Sequence, residues 1–150
     1  MKVIILGSGR VGSAIAQSLS AAGNHVSVID NDPDSLIRLG GDAFAGDFFV
    51  GEAMDPDVLE RAGISHADAF IASTDDDNIN VVMAQIAQRR YHVENVVVRV
   101  FDPDKAAFYE QRGLRVVCPT NRAIDEMIAA VEPAGRAAVA AIAANAPDKA

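Results

Sequence analysis

The sequence is poor in cysteine, tryptophan and basic residues. It has one cysteine, no tryptophan, and 13 Lys and Arg against 21 Asp and Glu, for a formal net charge of −8. The single Cys118 excludes a disulfide within the chain and fits a reducing compartment. The acidic balance argues against a nucleic-acid-binding protein, because such proteins need a basic surface to meet phosphates.

Metal-ligand spacings and long apolar runs are also missing. The histidines His25, His66 and His92 are isolated from one another, so no metal site is predicted. No stretch approaches the roughly 20 apolar residues of a membrane span. The apolar start is interrupted by glycines and Arg10 too early for a signal peptide. We therefore expect a soluble, cytoplasmic protein, and 150 residues, half of them hydrophobic, suit one domain.

Short apolar runs alternate with segments of helical periodicity along most of the chain. The runs predict six strands, at residues 3–6, 26–29, 43–45, 69–72, 96–100 and 114–118. Three of the intervening helices are expected to begin at Asp-Pro pairs, Asp32-Pro33, Asp55-Pro56 and Asp102-Pro103, because aspartate caps a helix and proline suits its first position. The pattern predicts a Rossmann-like, doubly wound parallel six-stranded sheet with helices on both faces.

A different pattern follows the sixth strand. Residues 120–132 carry an apolar stripe, Ile124, Met127, Ile128 and Val131, with no later strand to cover. We interpret 1–119 as the nucleotide-binding domain and 120–132 as an amphipathic crossover helix. This helix either joins the core or docks on a second copy of the chain. Residues 133–150 are alanine-rich and predict a weak helix or a disordered tail.

A glycine-rich loop joins the first strand to the first helix. It reads Gly7-Ser8-Gly9-Arg10-Val11-Gly12. In this position the first glycine permits a tight turn, the second lets the backbone approach phosphates, and the third permits close helix–strand packing. The helix N-terminus then offers unpaired N–H groups to the anion. We predict that this loop holds the phosphates of a nucleotide.

Asp30, with its neighbour Asn31, ends the second strand, where a carboxylate accepts hydrogen bonds from ribose hydroxyls. Asp32 is instead assigned to the helix cap, since it precedes Pro33. An acidic residue repels a 2′-phosphate, and no arginine follows until Arg38, so NADP is disfavoured.

Further site candidates follow the later strands. Asp47 follows the third predicted strand, and Ser73 and Thr74 follow the fourth, at the edge where open sheets bind ligands. Arg99 on the fifth strand needs an anionic partner, and Arg10 in the loop also reaches for phosphate. We interpret the acidic run 75–77 mainly as a solvated loop in which at least one residue caps the following helix.

The sequence shows no constellation for catalysis. Tyr91 and Tyr109 are followed four residues later by Asn95 and Gly113, so no Tyr-x-x-x-Lys pair exists, and no lysine follows Gly12 as in a Walker motif. The chain also lacks room for a substrate domain. We therefore predict no catalytic residue. A small NAD-dependent oxidoreductase, or a fragment of one, is the alternative, and a structural domain using nucleotide only as a folding cofactor is a third reading.

The combined pattern resembles the RCK/KTN family, the TrkA-type nucleotide-binding domains that regulate potassium channels and transporters. The resemblance covers about residues 1–131. The matching segments are the glycine loop, Val28-Ile29-Asp30, Gly46-Asp47, residues 59–64, residues 67–72, residues 74–77 with Asn80, residues 99–103, and Gly113 with Pro119-Thr120.

The resemblance implies a nucleotide-sensing regulatory subunit of a potassium uptake system or channel. It implies NAD or NADH, or alternatively ATP or ADP, as ligand, with Asp30 as the ribose ligand. Arg10 and Arg99 become phosphate or subunit contacts, and Asp47 and Thr74 adenosine-side neighbours. It further implies a homodimer, or a ring as large as an octamer, at the inner face of the membrane beneath a transporter. Many members carry a second regulatory domain, so we expect either a piece of a longer protein or a minimal form.

Overall fold

The computed structural model describes residues 1–132 and Ala141, and its centre is a parallel sheet. The strands are β1 (Lys2–Leu6), β2 (His25–Asp30), β3 (Asp47–Val50), β4 (Ala69–Ala72), β5 (Asn95–Arg99) and β6 (Arg115–Val117). The α-helices are α1 (Arg10–Ala21), α2 (Pro56–Ala62), α3 (Asp77–Arg89), α4 (Pro103–Glu110) and α5 (Pro119–Val131). Short 3₁₀ segments span Pro33–Leu39, Gly41–Ala43 and Ile64–His66.

The strand order is β3-β2-β1-β4-β5-β6, with every neighbouring pair parallel. The chain therefore builds outward from β1 in one direction and, after β3, crosses to the other side of β1. The crossover leaves a crevice at the carboxyl ends of β1 and β4, which is where open α/β sheets bind ligands. The predicted doubly wound six-stranded fold is confirmed.

Side chains of β1 alternate between two cores, because successive residues of a strand point to opposite faces. Val3 and Ile5 pack with α1 and the segment Pro33–Leu39, whereas Ile4 and Leu6 pack with α2, α3 and α4. Helices thus cover both faces of the sheet. This burial on both sides explains why the strand is a continuous apolar run rather than an alternating one.

The third strand was predicted wrongly. Ala43 lies in a 3₁₀ turn, and β3 begins only at Asp47, where Asp47–Val50 pairs with Ser27–Asp30. The apolar residues Ala43, Phe44 and Ala45 resemble a short strand in the sequence, but they belong to the connection between β2 and β3. The true strand is aromatic-rich, Asp47-Phe48-Phe49-Val50, and lies at the sheet edge, where it is only partly buried.

The predicted Asp-Pro starts are confirmed. Asp32, Asp55 and Asp102 each accept a backbone N–H of the following turn, and each is followed by proline at the start of the helical segment. The segment after Asp32 is a 3₁₀ helix rather than an α-helix, and Gly40 ends it in a left-handed conformation. These caps set the helix starts locally, before any tertiary contact is made.

Helix α5 extends from the domain without a buried residue. The side chains of its apolar stripe are exposed: Ile124 by 46%, Met127 by 70%, Ile128 by 51% and Val131 by 68%. The stripe is therefore not part of the core that the described residues form. The predicted tail at 133–150 lies outside the described residues, apart from Ala141.

None of the helices among the described residues has the length and apolar character that a membrane crossing requires.

The Asp55 cap allows a direct test of helix α2. Replacing Asp55 with Ala removes the acceptor of the Asp57 N–H, a bond of 2.9 Å. We expect the free energy of unfolding to fall by about 1 kcal/mol. Urea denaturation measures this, with Glu94→Ala, an exposed loop carboxylate, as the control that changes stability by less than about 0.5 kcal/mol. Equal effects of the two changes would rule out a capping role.

Candidate nucleotide-binding site

A cavity of about 430 Å³ lies at the carboxyl edge of the sheet, in the crevice beside β1 and β4. Its walls come from the carboxyl ends of β1, β2 and β5 and from the segments that follow β1, β2, β3 and β4. The lining residues are Leu6, Gly7, Gly9, Ile29, Asp30, Asn31, Arg38, Gly51, Glu52, Ala53, Ser73, Thr74, Asp75, Asp76, Ile79 and Arg99. This volume falls within the range of small-molecule and cofactor sites.

At two positions of the loop, Gly7 and Gly12, the surrounding protein leaves no space for a side chain. Gly7 has φ +90°, and a Cβ there would lie 2.9 Å from the Thr74 backbone nitrogen. A Cβ on Gly12 would overlap the Gly7 carbonyl oxygen and lie 2.8 Å from Ser73 Oγ. Their absence of side chains lets β1, α1 and the loop after β4 come together.

Gly9 is different, because nothing in the protein requires glycine there. Its φ of −63° and ψ of −168° suit ordinary residues. A Cβ on Gly9 would meet no atom within 4 Å, and Gly9 lines the cavity. Helix α1 starts here with no side-chain cap and no acidic residue in its first turn. A bare main chain and a helix N-terminus thus face the cavity, an arrangement suited to phosphate.

Asp30 is tied to the back of the glycine loop. Its Oδ2 accepts Ser8 N at 2.6 Å and Ser8 Oγ at 2.8 Å, and its Oδ1 accepts Asp32 N at 2.9 Å. Ser8 and Ser35 are fully buried, and their hydroxyls lie 2.6 Å apart. A carboxylate accepts about four hydrogen bonds. Asp30 therefore keeps capacity for a ribose hydroxyl while it holds the loop.

Asn80 joins the far wall of the cavity. Its Oδ1 accepts Thr74 N at 2.9 Å and Thr74 Oγ1 at 2.7 Å, and its Nδ2 donates to the carbonyls of Thr74 and Arg99 at 2.9 and 3.1 Å. The side chain is completely buried. One amide thus fixes the ends of β4 and β5 relative to α3. Ser73 Oγ, also buried, donates to the Leu6 and Gly7 carbonyls and connects β4 to the glycine loop.

Arg99 supplies positive charge on this wall. Its Nη2 donates to the Thr74 carbonyl at 2.6 Å, and its guanidinium lies 4.6 Å from the centre of the Phe101 ring. Its Nε is buried and has no hydrogen-bond partner within the described part of the chain. Burial lowers the pKa of Arg99, while Asp75 and Asp77 act in the opposite direction. The guanidinium remains charged and can accept an anionic partner.

The acidic run 75–77 divides into separate roles. Asp76 caps α3 by accepting Asn78 N at 2.8 Å and Ile79 N at 3.0 Å. Asp77 accepts the backbone N–H groups of Phe101 and Asp102, which connects α3 to the start of α4. The capping interpretation is confirmed for Asp76.

The structure brings most of the predicted site residues together. Gly7, Gly9, Asp30, Asn31, Ser73, Thr74 and Arg99 line the cavity, and Ser8 and Gly12 are buried in the glycine loop. Arg10 and Val11 begin α1 with exposed side chains that do not line the cavity.

Asp47 lies elsewhere, and its placement corrects the prediction. It is the first residue of β3, not the residue after it, and therefore stands at the amino end of the strand. There its Oδ2 lies 3.2 Å from His25 Nε2, at the start of β2. In a parallel sheet this end is opposite the ligand-binding edge. The error followed directly from the misplaced third strand.

Two parts of the cavity were missed in the sequence. Gly51, Glu52 and Ala53 line it because they follow the true end of β3. Correct placement of that strand on Phe48 and Phe49 would have found them. Arg38 also lines the cavity, because the 3₁₀ segment turns the chain back toward the glycine loop. Because Arg38 lines the same cavity as Asp30, its distance along the sequence does not disfavour NADP, contrary to the prediction.

The family model of the TrkA-N domain matches residues 3–120. The Trk system potassium uptake protein TrkA of Streptomyces coelicolor is 42% identical over 135 residues, which cover 90% of this chain and 60% of that protein. The chain thus spans about three fifths of the length of this curated relative.

Solved structures share the fold. The TrkA-N domain of the Escherichia coli inner membrane protein ybaL has a TM-score of 0.76 at 20% identity, covering 87% of this chain and 96% of that one. The Shewanella denitrificans Kef CTD, in its AMP-bound form, has a TM-score of 0.72 at 26% identity, covering 93% and 88%. GsuK bound to ADP has a TM-score of 0.71 at 22% identity, covering 87% and 34%, and the GsuK channel was also solved bound to NAD.

The Asn80 bridge gives a stability prediction. Asn80→Ala leaves buried backbone groups of Thr74 and Arg99 without a partner, so we expect the free energy of unfolding to fall by about 2 to 4 kcal/mol. Chemical denaturation measures the loss. The control is Asn78→Ala, an exposed position two residues earlier, with an expected change below about 0.5 kcal/mol. A loss at Asn80 no larger than at Asn78 would show that the bridge is not structural.

Proposed function

The chain belongs to the TrkA-N domain family, and we propose that it binds an adenine nucleotide and thereby regulates a membrane potassium transporter or channel. The proposal includes a cytoplasmic location at the inner face of the membrane, reached through that partner. It also holds that the chain is a regulator rather than an enzyme. The name of its relative, a potassium uptake protein, supports the choice of ion.

The proposal rests mainly on Gly9, which lines the cavity although nothing in the protein requires glycine there. Gly7 and Gly12 are explained by crowding and backbone conformation, but Gly9 satisfies neither explanation. A residue without a side chain, beside an uncapped helix N-terminus and on a cavity wall, leaves space for another molecule. Phosphate fits the chemistry, because backbone N–H groups and the helix dipole favour an anion.

The rest of the cavity supports a nucleotide around that phosphate. Asp30 stands at the end of β2 with acceptor capacity for ribose hydroxyls, beside Asn31. Arg99 stands across the crevice with an unpaired buried Nε among the described residues. We assign the ribose to Asp30, the first phosphates to the glycine loop, and the more distant phosphates or second nucleotide half to the Arg99 side.

The ligand of this chain is proposed to be NAD or NADH, with ATP, ADP or AMP as the alternatives. AMP, ADP and NAD are the nucleotides in the solved Kef and GsuK structures. Each of them contains an adenosine whose ribose carries a 5′-phosphate. The cavity therefore suits the shared adenosine phosphate portion.

Regulation requires that the nucleotide contact two conformations of an assembly differently. We propose that α5 provides the contact between two copies of the chain, and that such dimers build a larger ring. The supporting observation is its apolar stripe, which lies exposed on a helix without a buried residue. Burial of these side chains against their counterparts would remove a large apolar surface from water.

Thermal unfolding with NAD, NADH, ATP, ADP and AMP tests the nucleotide proposal. At 100 times its dissociation constant a ligand adds about 2.7 kcal/mol of stability, so we expect the midpoint to rise by several degrees. Gly9→Asp should not lower the unliganded midpoint, because its side chain has open space at the N-cap of α1, and it should abolish the rise by charge repulsion.

Ala14→Asp, on the exposed side of α1, adds the same charge away from the cavity and should keep the rise. Absence of stabilisation by every nucleotide, or its survival in Gly9→Asp, contradicts the proposal. Turnover of NADH with a simple carbonyl substrate by the purified chain would favour the oxidoreductase alternative.

The role of α5 is tested by the mass of the chain in solution. Met127→Glu places a charge in the exposed stripe, and we expect it to weaken dimerisation at least tenfold, because a buried unpaired charge is costly. Arg122→Glu introduces the same residue on the opposite side of α5 and should leave the dimer intact. Light scattering across a dilution series measures both. A wild-type monomer at all concentrations would contradict the assignment.

A further inference from the structure

Arg38 lies in the last turn of the 3₁₀ segment Pro33–Leu39, and it lines the same cavity as Asp30. Its Nε donates to the Ser8 carbonyl at 2.9 Å. The side chain is 46% exposed, and its Nη2 lies 3.5 Å from Asp32 Oδ2. The guanidinium is therefore oriented by the glycine loop at one nitrogen only.

The terminal nitrogens of Arg38 remain available to a ligand. The contact with Asp32 is long and solvent-exposed, and such pairs contribute little to stability. A guanidinium carries five N–H donors in a planar fork that matches a phosphate group. One donor is used by Ser8, so the fork can turn two N–H groups toward an anion without losing its anchor.

Asp30 marks where that anion would be. A carboxylate at the end of β2 in this fold faces the 2′-hydroxyl of the adenosine ribose, and a nearby arginine receives a phosphate at the same position. Here both residues line one cavity. The Asp30 carboxylate accepts three hydrogen bonds, two from Ser8 and one from Asp32. These bonds reduce its repulsion of a second anion.

We propose that Arg38 is a specificity-determining residue that admits a 2′-phosphate on the adenosine ribose, so that the site accepts 2′-phosphorylated adenine nucleotides as well as unphosphorylated ones. The inference rests on the proposed nucleotide site and adds that the site recognises the 2′-substituent of the adenosine ribose. It assigns to Arg38 a contact with the ligand, in addition to its hydrogen bond with the glycine loop.

The test compares AMP with adenosine 2′,5′-bisphosphate, which differ by the 2′-phosphate alone. We expect the wild-type chain to bind the bisphosphate at least as tightly as AMP in calorimetric titrations. Arg38→Gln should weaken bisphosphate binding about ten- to a hundredfold, the loss expected for charge-assisted hydrogen bonds, and this loss should exceed the loss of AMP binding by at least about tenfold. Asp30→Asn should change the two affinities in the opposite direction from Arg38→Gln. We expect weaker AMP binding and a higher affinity for the bisphosphate relative to AMP.

Arg89→Gln, an exposed arginine at the end of α3, controls for the change in net charge and should leave both affinities unchanged. A purely structural Arg38 predicts equal losses for the two ligands, and that result overturns the inference while nucleotide binding stands. A wild-type preference for AMP above about tenfold that Arg38→Gln does not alter overturns it equally. Failure of both ligands to bind the wild-type chain rejects the nucleotide site itself.

Discussion

The structure depends on the close approach of three main-chain segments at one point. The Gly7 carbonyl lies against Gly12 of α1, and Gly7 itself lies against the backbone of Thr74 after β4. Only residues without a Cβ permit this contact. It determines where α1 begins and how far the ends of β1 and β4 lie apart. The crevice of the doubly wound sheet thus becomes a cavity with defined walls.

Buried polar side chains then hold the loops that this approach brings together. Ser73 ties β4 to the glycine loop, Asn80 ties β4 and β5 to α3, and Asp30 ties β2 to Ser8. These bonds pair polar groups of the loops with buried side chains, as buried polar groups require. Both sides of the crevice are thus tied to the sheet by side-chain hydrogen bonds, and such pre-organisation lowers the cost of ordering a site when a ligand binds.

The anion site proposed for this acidic chain depends on two arginines that are held by carbonyl oxygens. Arg99 donates to the Thr74 carbonyl, and Arg38 donates to the Ser8 carbonyl. A carbonyl orients a guanidinium without neutralising its charge. The net charge of −8 describes the whole chain, whereas the cavity wall combines Arg38 and Arg99 with four carboxylates, those of Asp30, Glu52, Asp75 and Asp76. The two arginines and the N-terminus of α1 therefore supply the positive charge that the proposed phosphate contacts need.

Much of this architecture was decided by local sequence. The strand–glycine loop–helix unit, the Asp-Pro helix starts and the apolar runs of β1, β2, β4 and β5 depend on neighbouring residues, so they were predictable. The third strand was not, because a short edge strand lacks the buried apolar run that identifies central strands. Asp47 was misplaced and Glu52 missed for the same reason. Three features arise only when distant segments pack, and no local pattern encodes them: the placement of Arg38 and Asp30 in one cavity wall, the four hydrogen bonds of Asn80 and the exposure of α5.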